Sequence, residues 1–270
     1  MMRTLLFLLV VLSPISLQAQ IEHAKAVKFD DFGDIEWSDK AARLDHFAIK
    51  LQEAPGLKGF IIVYRSRRDL PGLSSRLARQ MKNYLVYSRG LKADRVIDVD
   101  GGRASNLSQE LWLVPANTTP TSRRDIFSAD FDDPDSAQEF DDYSLGGMDY
   151  EIEGDSLEAF SDAVRRSPRS RAYVIFYPQY YVQLWETFDP ETNRTMKPER
   201  HVYQTTMQKT NELMGEIKKT LVSEYKLDPS RVTVVNGGYR KWVAVELWIV
   251  PRGVHPPVAT PNSFPKSRRR

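Results

Sequence analysis

The sequence predicts an α/β protein of the α+β kind, built as two tandem two-layer sandwiches, each β-α-β-α-β-β with a mixed sheet. Three observations carry that prediction. A long segment starting at Arg95 recurs from Arg231, 136 residues later. Each copy holds two stretches in which apolar residues fall at helical spacing. Between them lie short β-branched runs bounded by Gly and Pro, the signature of strands.

The repeat fixes the organisation. Residues 95–115 read RVIDVDGGRASNLSQELWLVP and residues 231–251 read RVTVVNGGYRKWVAVELWIVP. This register places Gly101 and Gly102 on Gly237 and Gly238, Glu110 on Glu246, Trp112 on Trp248 and Pro115 on Pro251. Upstream the offset is 113, and Leu44, Phe47, Pro55 and Tyr64 fall on Leu157, Phe160, Pro168 and Tyr177. Phe29-Asp30-Asp31-Phe32 resembles Phe140-Asp141-Asp142-Tyr143. The second copy therefore carries about 23 extra residues after Tyr177. The expected boundaries are a first module at 25–118, an acidic linker at 119–136 and a second module at 137–256. An aromatic loop is inserted at 178–200, and a Pro-rich basic tail follows at 257–270.

Within module one, AVKFDDF forms the opening strand. Leu44, Phe47, Ala48 and Leu51 line one face of a helix that Ser38 is placed to cap and Pro55-Gly56 to end. GFIIVY is a continuous apolar run and reads as a central strand. Leu77, Met81, Tyr84 and Leu85 line a second helix, with Gly90 as its C-cap residue. Val96 to Val99 and Gln109 to Val114 are the last strands, joined through Gly101-Gly102 and expected to pair antiparallel. Module two repeats the order with helices near 155–166 and 200–224, and strands at 171–177, 231–235 and 244–250. Alternating helices and strands pack as a sheet under a helix layer.

Composition narrows the function classes. Residues 1–19 have the layout of a cleaved secretory signal, with Arg3 before the apolar run Leu5 to Leu12. The run is shorter than the roughly 20 residues that cross a bilayer, and no later stretch is long and apolar enough to span. Export implies a periplasmic or secreted location. The chain has no cysteine, which excludes disulfides, thiol nucleophiles and Cys-ligated metals. A net charge of +2 gives no field that would favour nucleic acid. The charge is unevenly spread: from Asp125 to Asp155 there are twelve acidic residues and no Lys or Arg, read as a solvated linker and domain edge. The chain ends in KSRRR.

Four motifs are candidates for function. The Gly-Gly pairs precede a strand, so no helix N-terminus is available to hold phosphate. Gly101, Gly102, Gly237 and Gly238 read as turn residues, and Trp112 and Trp248 as packing residues. Glu110 and Glu246 each share a sheet face with the following Trp, either facing a ligand or packed at an edge. Arg65, Arg76 and Arg79 follow the central strand, where arginines clamp carboxylate or phosphate or decorate an exposed loop. Tyr180, Tyr181, Trp185, Phe188 and Arg200 belong to the insertion, whose rings stack on a ligand or pack against the other module. The four histidines show no metal spacing, no nucleophile–base pair is evident, and no cofactor is expected.

The layout resembles a diverged OmpA-like domain, the peptidoglycan-associating module of bacterial envelopes. The matching pieces are FDDFGDI, LDHFAIKLQEAP, GFIIVY, LSSRLARQMKNYLVYSRGLKADRV and the glycines at 101–102. The ligand-binding motif is not retained. Tyr64-Arg65-Ser66 stands where the family has its Thr-Asp element, and Leu77 stands at the family's binding arginine, with Arg76 and Arg79 beside it. The resemblance implies an envelope protein that binds a cell-wall polymer or an envelope protein partner through paired modules, without catalysis. The alternative is a cell-wall or glycan hydrolase using Glu110 or Glu246, which requires a second carboxylate across a cleft.

Overall fold

The computed structural model describes residues 25–121, 134–145 and 154–263, apart from 187, 190, 192–193 and 196–197. The signal segment 1–19, most of the acidic linker and the KSRRR end lie outside the described residues. Module one runs β1 (Val27–Phe32), α1 (Trp37–Glu53), β2 (Leu57–Arg65), α2 (Gly72–Asn83), β3 (Val96–Arg103) and β4 (Ser108–Pro115). Module two runs β5 (Gln138–Leu145), α3 (Gly154–Arg166), β6 (Ser170–Tyr177), four strands of the insertion, α4 (Met207–Lys219), β11 (Val232–Asn236) and β12 (Val243–Pro251). The inserted strands are β7 (Tyr180–Trp185), β8 (Phe188–Asp189), β9 (Arg194–Thr195) and β10 (Glu199–Gln204).

Both sheets have one topology. Module one is ordered β1-β4-β2-β3 and module two β5-β12-β6-β11. The third strand of the module runs parallel to the second, and the last strand lies antiparallel between the first and second. The sheets are therefore mixed. The last two strands do run in opposite directions, but they are not neighbours, because β2 or β6 lies between them. A turn-rich connection suggests a hairpin only when nothing competes for the pairing. Here β4 is buried on both faces and takes the central place in the sheet.

The helices cover one face of each sheet. In module one Leu44, Phe47 and Leu51 of α1 and Ala78 and Met81 of α2 close on Ile61, Val63 and Leu111. In module two Leu157, Phe160 and Val164 of α3 and Leu213 and Ile217 of α4 close on Val174, Phe176 and Leu247. Even the ring pairs match: Phe29–Phe47 centroids are 5.3 Å apart and Phe140–Phe160 5.6 Å. The second helix of each module ends in a π-helical turn, at Tyr84–Ser88 and Thr220–Glu224. Gly90, at φ +68°, follows the first of these as expected. Ser38 does not cap α1. Glu36 occupies the N-cap and makes no side-chain capping bond. The second helix of module two begins at Met207 rather than near 200, because 199–204 is drawn into a strand opposite β7. Thr206 caps it, accepting from the Lys209 backbone N–H.

Repeated arginines lock the first helix of each module to the sheet. The Arg95 guanidinium donates to the carbonyls of Leu51, Ala54 and Leu57. Arg231 donates to those of Val164, Ser167 and Ser170, the same three positions one repeat on. Each satisfies carbonyls at a helix C-terminus that would otherwise lack a donor.

The modules meet through α2. It packs on its own sheet and also on α3 and β5. Arg76 Nε donates to Asp141 of β5 at 2.8 Å. Arg79 bonds Asp98 of its own β3 at 2.6 Å, and Glu158 and Asp162 of α3. Asn83 donates to Asp155. Burial opposes the Arg79 charge, but these carboxylates outweigh it and raise its pKa above the usual guanidinium value. Of these partners Asp141 and Asp155 belong to the acidic run of the sequence, and Glu158 and Asp162 lie just beyond it.

Candidate functional site

The sheet face away from the helices carries the repeated motif residues. In module one Ile62, Tyr64, Ala104, Trp112 and Val114 form a second small core on it. In module two Ile175, Tyr177 and Ala244 do so, with Trp248 and Ala259 beside them. The Gly-Gly pairs serve this face. A Cβ at Gly101 would come within 2.6 Å of the Tyr64 ring, and one at Gly237 within 2.5 Å of the Tyr177 ring. Gly102 and Gly238 both sit at φ +85°, and their N–H groups are taken by Asp100 and Asn236 side chains at 2.9 Å. Each pair is thus an Asx-type bend against an aromatic ring, in module one within the end of β3.

Glu110 and Trp112 share a face as their alternation requires, and so do Glu246 and Trp248. Each indole Nε1 donates to its glutamate, at 2.9 and 3.2 Å. Glu110 also accepts from Lys28 at 2.8 Å. Glu246 accepts from Tyr177 Oη at 3.0 Å and from Arg240, whose guanidinium lies 3.5 Å over the Tyr177 ring. Both glutamates are buried and held by donors of this chain.

The modules differ on the neighbouring strand. Lys28 of β1 lies opposite Trp112, whereas Glu139 of β5 lies opposite Trp248. Glu139 therefore shares its surroundings with Glu246 and Asp142. Burial first, then those two charges, push its pKa up to about 7. Burial, with Asp141 and Glu246, also raises Asp142. Among the described residues no group of three or more His, Asp or Glu is arranged to hold a metal ion.

The tail reaches this face as well. Residues 260–263 are bonded to module two. Thr260 donates its N–H to Tyr177 Oη at 3.0 Å and its hydroxyl accepts from Arg240 at 2.6 Å. Asn262 and Ser263 donate their N–H groups to the Tyr239 carbonyl.

The three candidate arginines do not converge on one ligand position. Arg65, 1% exposed, is turned inward, and its Nη1 donates to Asp100 and Ser74 at 3.2 and 3.3 Å. Burial lowers its pKa. Arg76 and Arg79 serve the contact between modules described above.

The insertion is a β-hairpin. β7 pairs antiparallel with β10 from Tyr180–Gln204 to Trp185–Glu199, and β8 with β9 toward its tip. Its base is fastened by Tyr180, buried against Tyr239 at 5.9 Å, and by the bond from the Tyr180 N–H to the Arg240 carbonyl. Strand alternation then sorts the side chains. One face carries Tyr181 stacked on Tyr203, with centroids 4.5 Å apart and planes at 6°. Trp242 adjoins Tyr181 at 5.1 Å, and Trp185 lies 4.8 Å from His201. The other face carries Val182, Leu184, Val202 and Arg200, all exposed. Leu184 is 63% exposed, and Trp185 and Trp242 are each 48% exposed. Phe188 starts β8.

The rings of the insertion thus contact one another and the 239–242 loop, while α2, α3 and β5 join the modules. Tyr203, His201 and Trp242 were not singled out from the sequence. The signal for the first two is the alternation in ERHVYQ. Trp242 has none beyond its position just before β12. No protein-family model, curated protein or solved structure matches the chain.

Proposed function

We propose that this chain is a non-catalytic binding protein of the cell envelope that engages a cell-wall polymer or an envelope protein partner, with the β7–β10 hairpin as its contact element. The observation that carries this reading is the hairpin itself, which exposes apolar side chains on both faces. A two-stranded ribbon is marginal alone in water, and exposed apolar clusters of this kind mark interaction surfaces. Trp and Tyr are also the side chains most enriched at binding hot spots.

The order β-α-β-α-β-β, interrupted in module two by the hairpin, is compatible with the OmpA-like resemblance from which the periplasmic or secreted setting of this reading is taken. No helix among the described residues is long and apolar enough to cross a membrane. The family's peptidoglycan-binding positions carry Arg65 turned inward and Leu77 here, so the insertion replaces them as the contact element in this reading. The hydrolase alternative finds less support. Both oxygens of Glu110 and of Glu246 accept bonds from Lys, Arg, Tyr or Trp of the same chain, whereas an acid–base carboxylate must meet a substrate proton.

The test is a pull-down of the mature protein on isolated peptidoglycan sacculi, beside a Trp185→Ala/Trp242→Ala variant. Saturable binding by the parent that drops at least about tenfold in the variant supports the reading, a loss of about 1.4 kcal/mol. Equal binding by both proteins sinks the hairpin as the contact element.

A further inference from the structure

The tail sits on module two as a peptide ligand sits in a groove. Ala259 packs against the small core of Ile175, Tyr177 and Ala244. Thr260 is held at three atoms. Its N–H donates to Tyr177 Oη at 3.0 Å, its hydroxyl accepts from Arg240 Nη2 at 2.6 Å, and its carbonyl accepts from Arg240 Nε at 3.3 Å. Pro261 lies against Gly238, where a Cβ would come within 3.0 Å of it. Asn262 donates its N–H to the Tyr239 carbonyl at 3.1 Å and accepts at Oδ1 from the Lys241 N–H at 3.2 Å. Ser263 donates its N–H to the same Tyr239 carbonyl and its hydroxyl to the Tyr180 carbonyl. Main-chain bonds that hold a segment and side-chain contacts that select it are the two parts of extended-peptide recognition.

Two features separate this occupant from what the fold itself requires. Tyr239 and Arg240 stand at the positions of Arg103 and Ala104 in module one. There the same strand order and the same positive φ at the second glycine form with neither residue. The tail also buries little. Residues 258–263 are all half-buried or exposed, and Val258 is 86% exposed. Its hold rests mainly on hydrogen bonds, each of which replaces a bond to water and contributes little net.

The seat is shared with the hairpin. Tyr239 Oη accepts from Gln204 at 3.0 Å, and its ring lies 5.9 Å from that of Tyr180. The Tyr180 N–H donates to the Arg240 carbonyl at 2.8 Å, and the Arg240 N–H to the Pro178 carbonyl at 3.0 Å. Tyr180 and Gln204 are the pair that closes the base of the β7–β10 ladder. We propose that this groove is a binding site for an extended Ala-Thr-Pro-Asn-Ser peptide, filled in cis by the chain's own tail, and that the tail is a releasable latch on the base of the hairpin. The inference does not rest on what the hairpin binds.

The probe is a fluorescein-labelled peptide of residues 257–263. Anisotropy is read against the full mature chain and against the same chain carrying Ala259→Asp and Pro261→Asp, which unseats the tail without changing a fully buried residue. The expected result is saturable binding to the variant that is at least about tenfold weaker, or 1.4 kcal/mol, with the parent, whose own tail competes. The same loss is expected for a peptide carrying Thr260→Asp and Pro261→Asp. Hydrogen exchange supplies a second readout on the parent itself. The amides of Thr260, Asn262 and Ser263 should exchange by local opening, faster than those of β12. In the variant the Tyr180 amide should lose protection, while those of β2 keep theirs. The proposal is overturned by a folded variant that binds no peptide, by equal binding to parent and variant, or by indifference to the peptide substitutions. Tail amides that exchange only with global unfolding, or a variant that does not fold, would make the tail part of the core and overturn it as well. Self-association of the parent that the peptide abolishes would assign the groove to the tail of a second copy, against filling in cis.

Discussion

The two modules share strand order, ring pairs, the locking arginine and the Gly-Gly turn, yet they differ wherever they meet something else. Module one lends α2 to its neighbour, and among the described residues no helix covers its own β1–α1 surface. Module two receives α2, leaves α4 facing outward, and carries the hairpin. On the open sheet face, Lys28 neutralises Glu110 in module one, whereas Glu139 adds a third carboxylate to Glu246 and Asp142 in module two. A duplicated fold keeps what its core requires and varies what its surroundings require. Positions that match between the copies are therefore structural by default, and mismatched ones mark contacts.

The largest expected effect comes from breaking the contact between modules. Arg79→Ala leaves Asp98, Glu158 and Asp162 without their shared cation, and a cost of about 3 kcal/mol in unfolding free energy is expected for such a part-buried pair. Urea denaturation measures it. The counterpart substitution at Gly215 of α4, which has open space around it, should not destabilise. A loss at Gly215 as large as that at Arg79 would mean that the modules are not distinguished in this way.

Next are the turn glycines. Gly101→Ala and Gly237→Ala each drive a methyl into a tyrosine ring and an isoleucine, and about 2 kcal/mol is expected from each by overpacking. Matching losses would show that the two turns are equivalent. A much smaller loss at Gly101 would show a looser face in module one.

A smaller effect is expected at the charge difference on the open face. The folded protein holds the Glu139 proton up to about pH 7, while the unfolded chain releases it near 4.5. Stability of module two therefore falls as pH rises from about 4.5 to about 7, and is flat above. Glu139→Gln should flatten that slope in thermal melts taken between pH 5 and 8. Glu139→Lys, which copies the module-one residue, should raise the melting temperature at pH 8. A lower melting temperature for Glu139→Lys would show that the copied lysine finds no carboxylate partner there.

The smallest effect is a gain. Gly215→Ala lies on the exposed face of α4 and should stabilise by about 0.8 kcal/mol through helix propensity alone. No gain would mean that the glycine is held for contact with something outside the chain.

Much of this comparison was legible in the sequence. The element order, the module repeat and the Glu–Trp face follow from periodicity and spacing. Strand neighbours do not, because the alternation in QELWLV shows which side chains share a face but not which backbone lies alongside. The sequence alone extends the helix back to about residue 200, because the pattern of 200–204 is short and the helix beyond is strong. Only β7 opposite reveals them as strand. The contacts of the arginines are hidden in the sequence for a different reason. Arg76, Arg79 and Asn83 lie on one helical face, and their partners in module two lie 65 to 83 residues further on. The run of acidic residues without a Lys or Arg holds two of those partners, Asp141 and Asp155, whereas Glu158 and Asp162 lie beyond it.

The strand order also sets when each module can form during synthesis. In both sheets the strand made last is inserted between the first two, so β1 and β2, or β5 and β6, have no shared neighbour until it emerges. A nascent module lacking β4 or β12 has an empty central lane and no continuous sheet for its helices to cover. Module two waits longer still, because residues 258–263 complete its open face. Neither sheet can therefore close until nearly the whole of its module has been made.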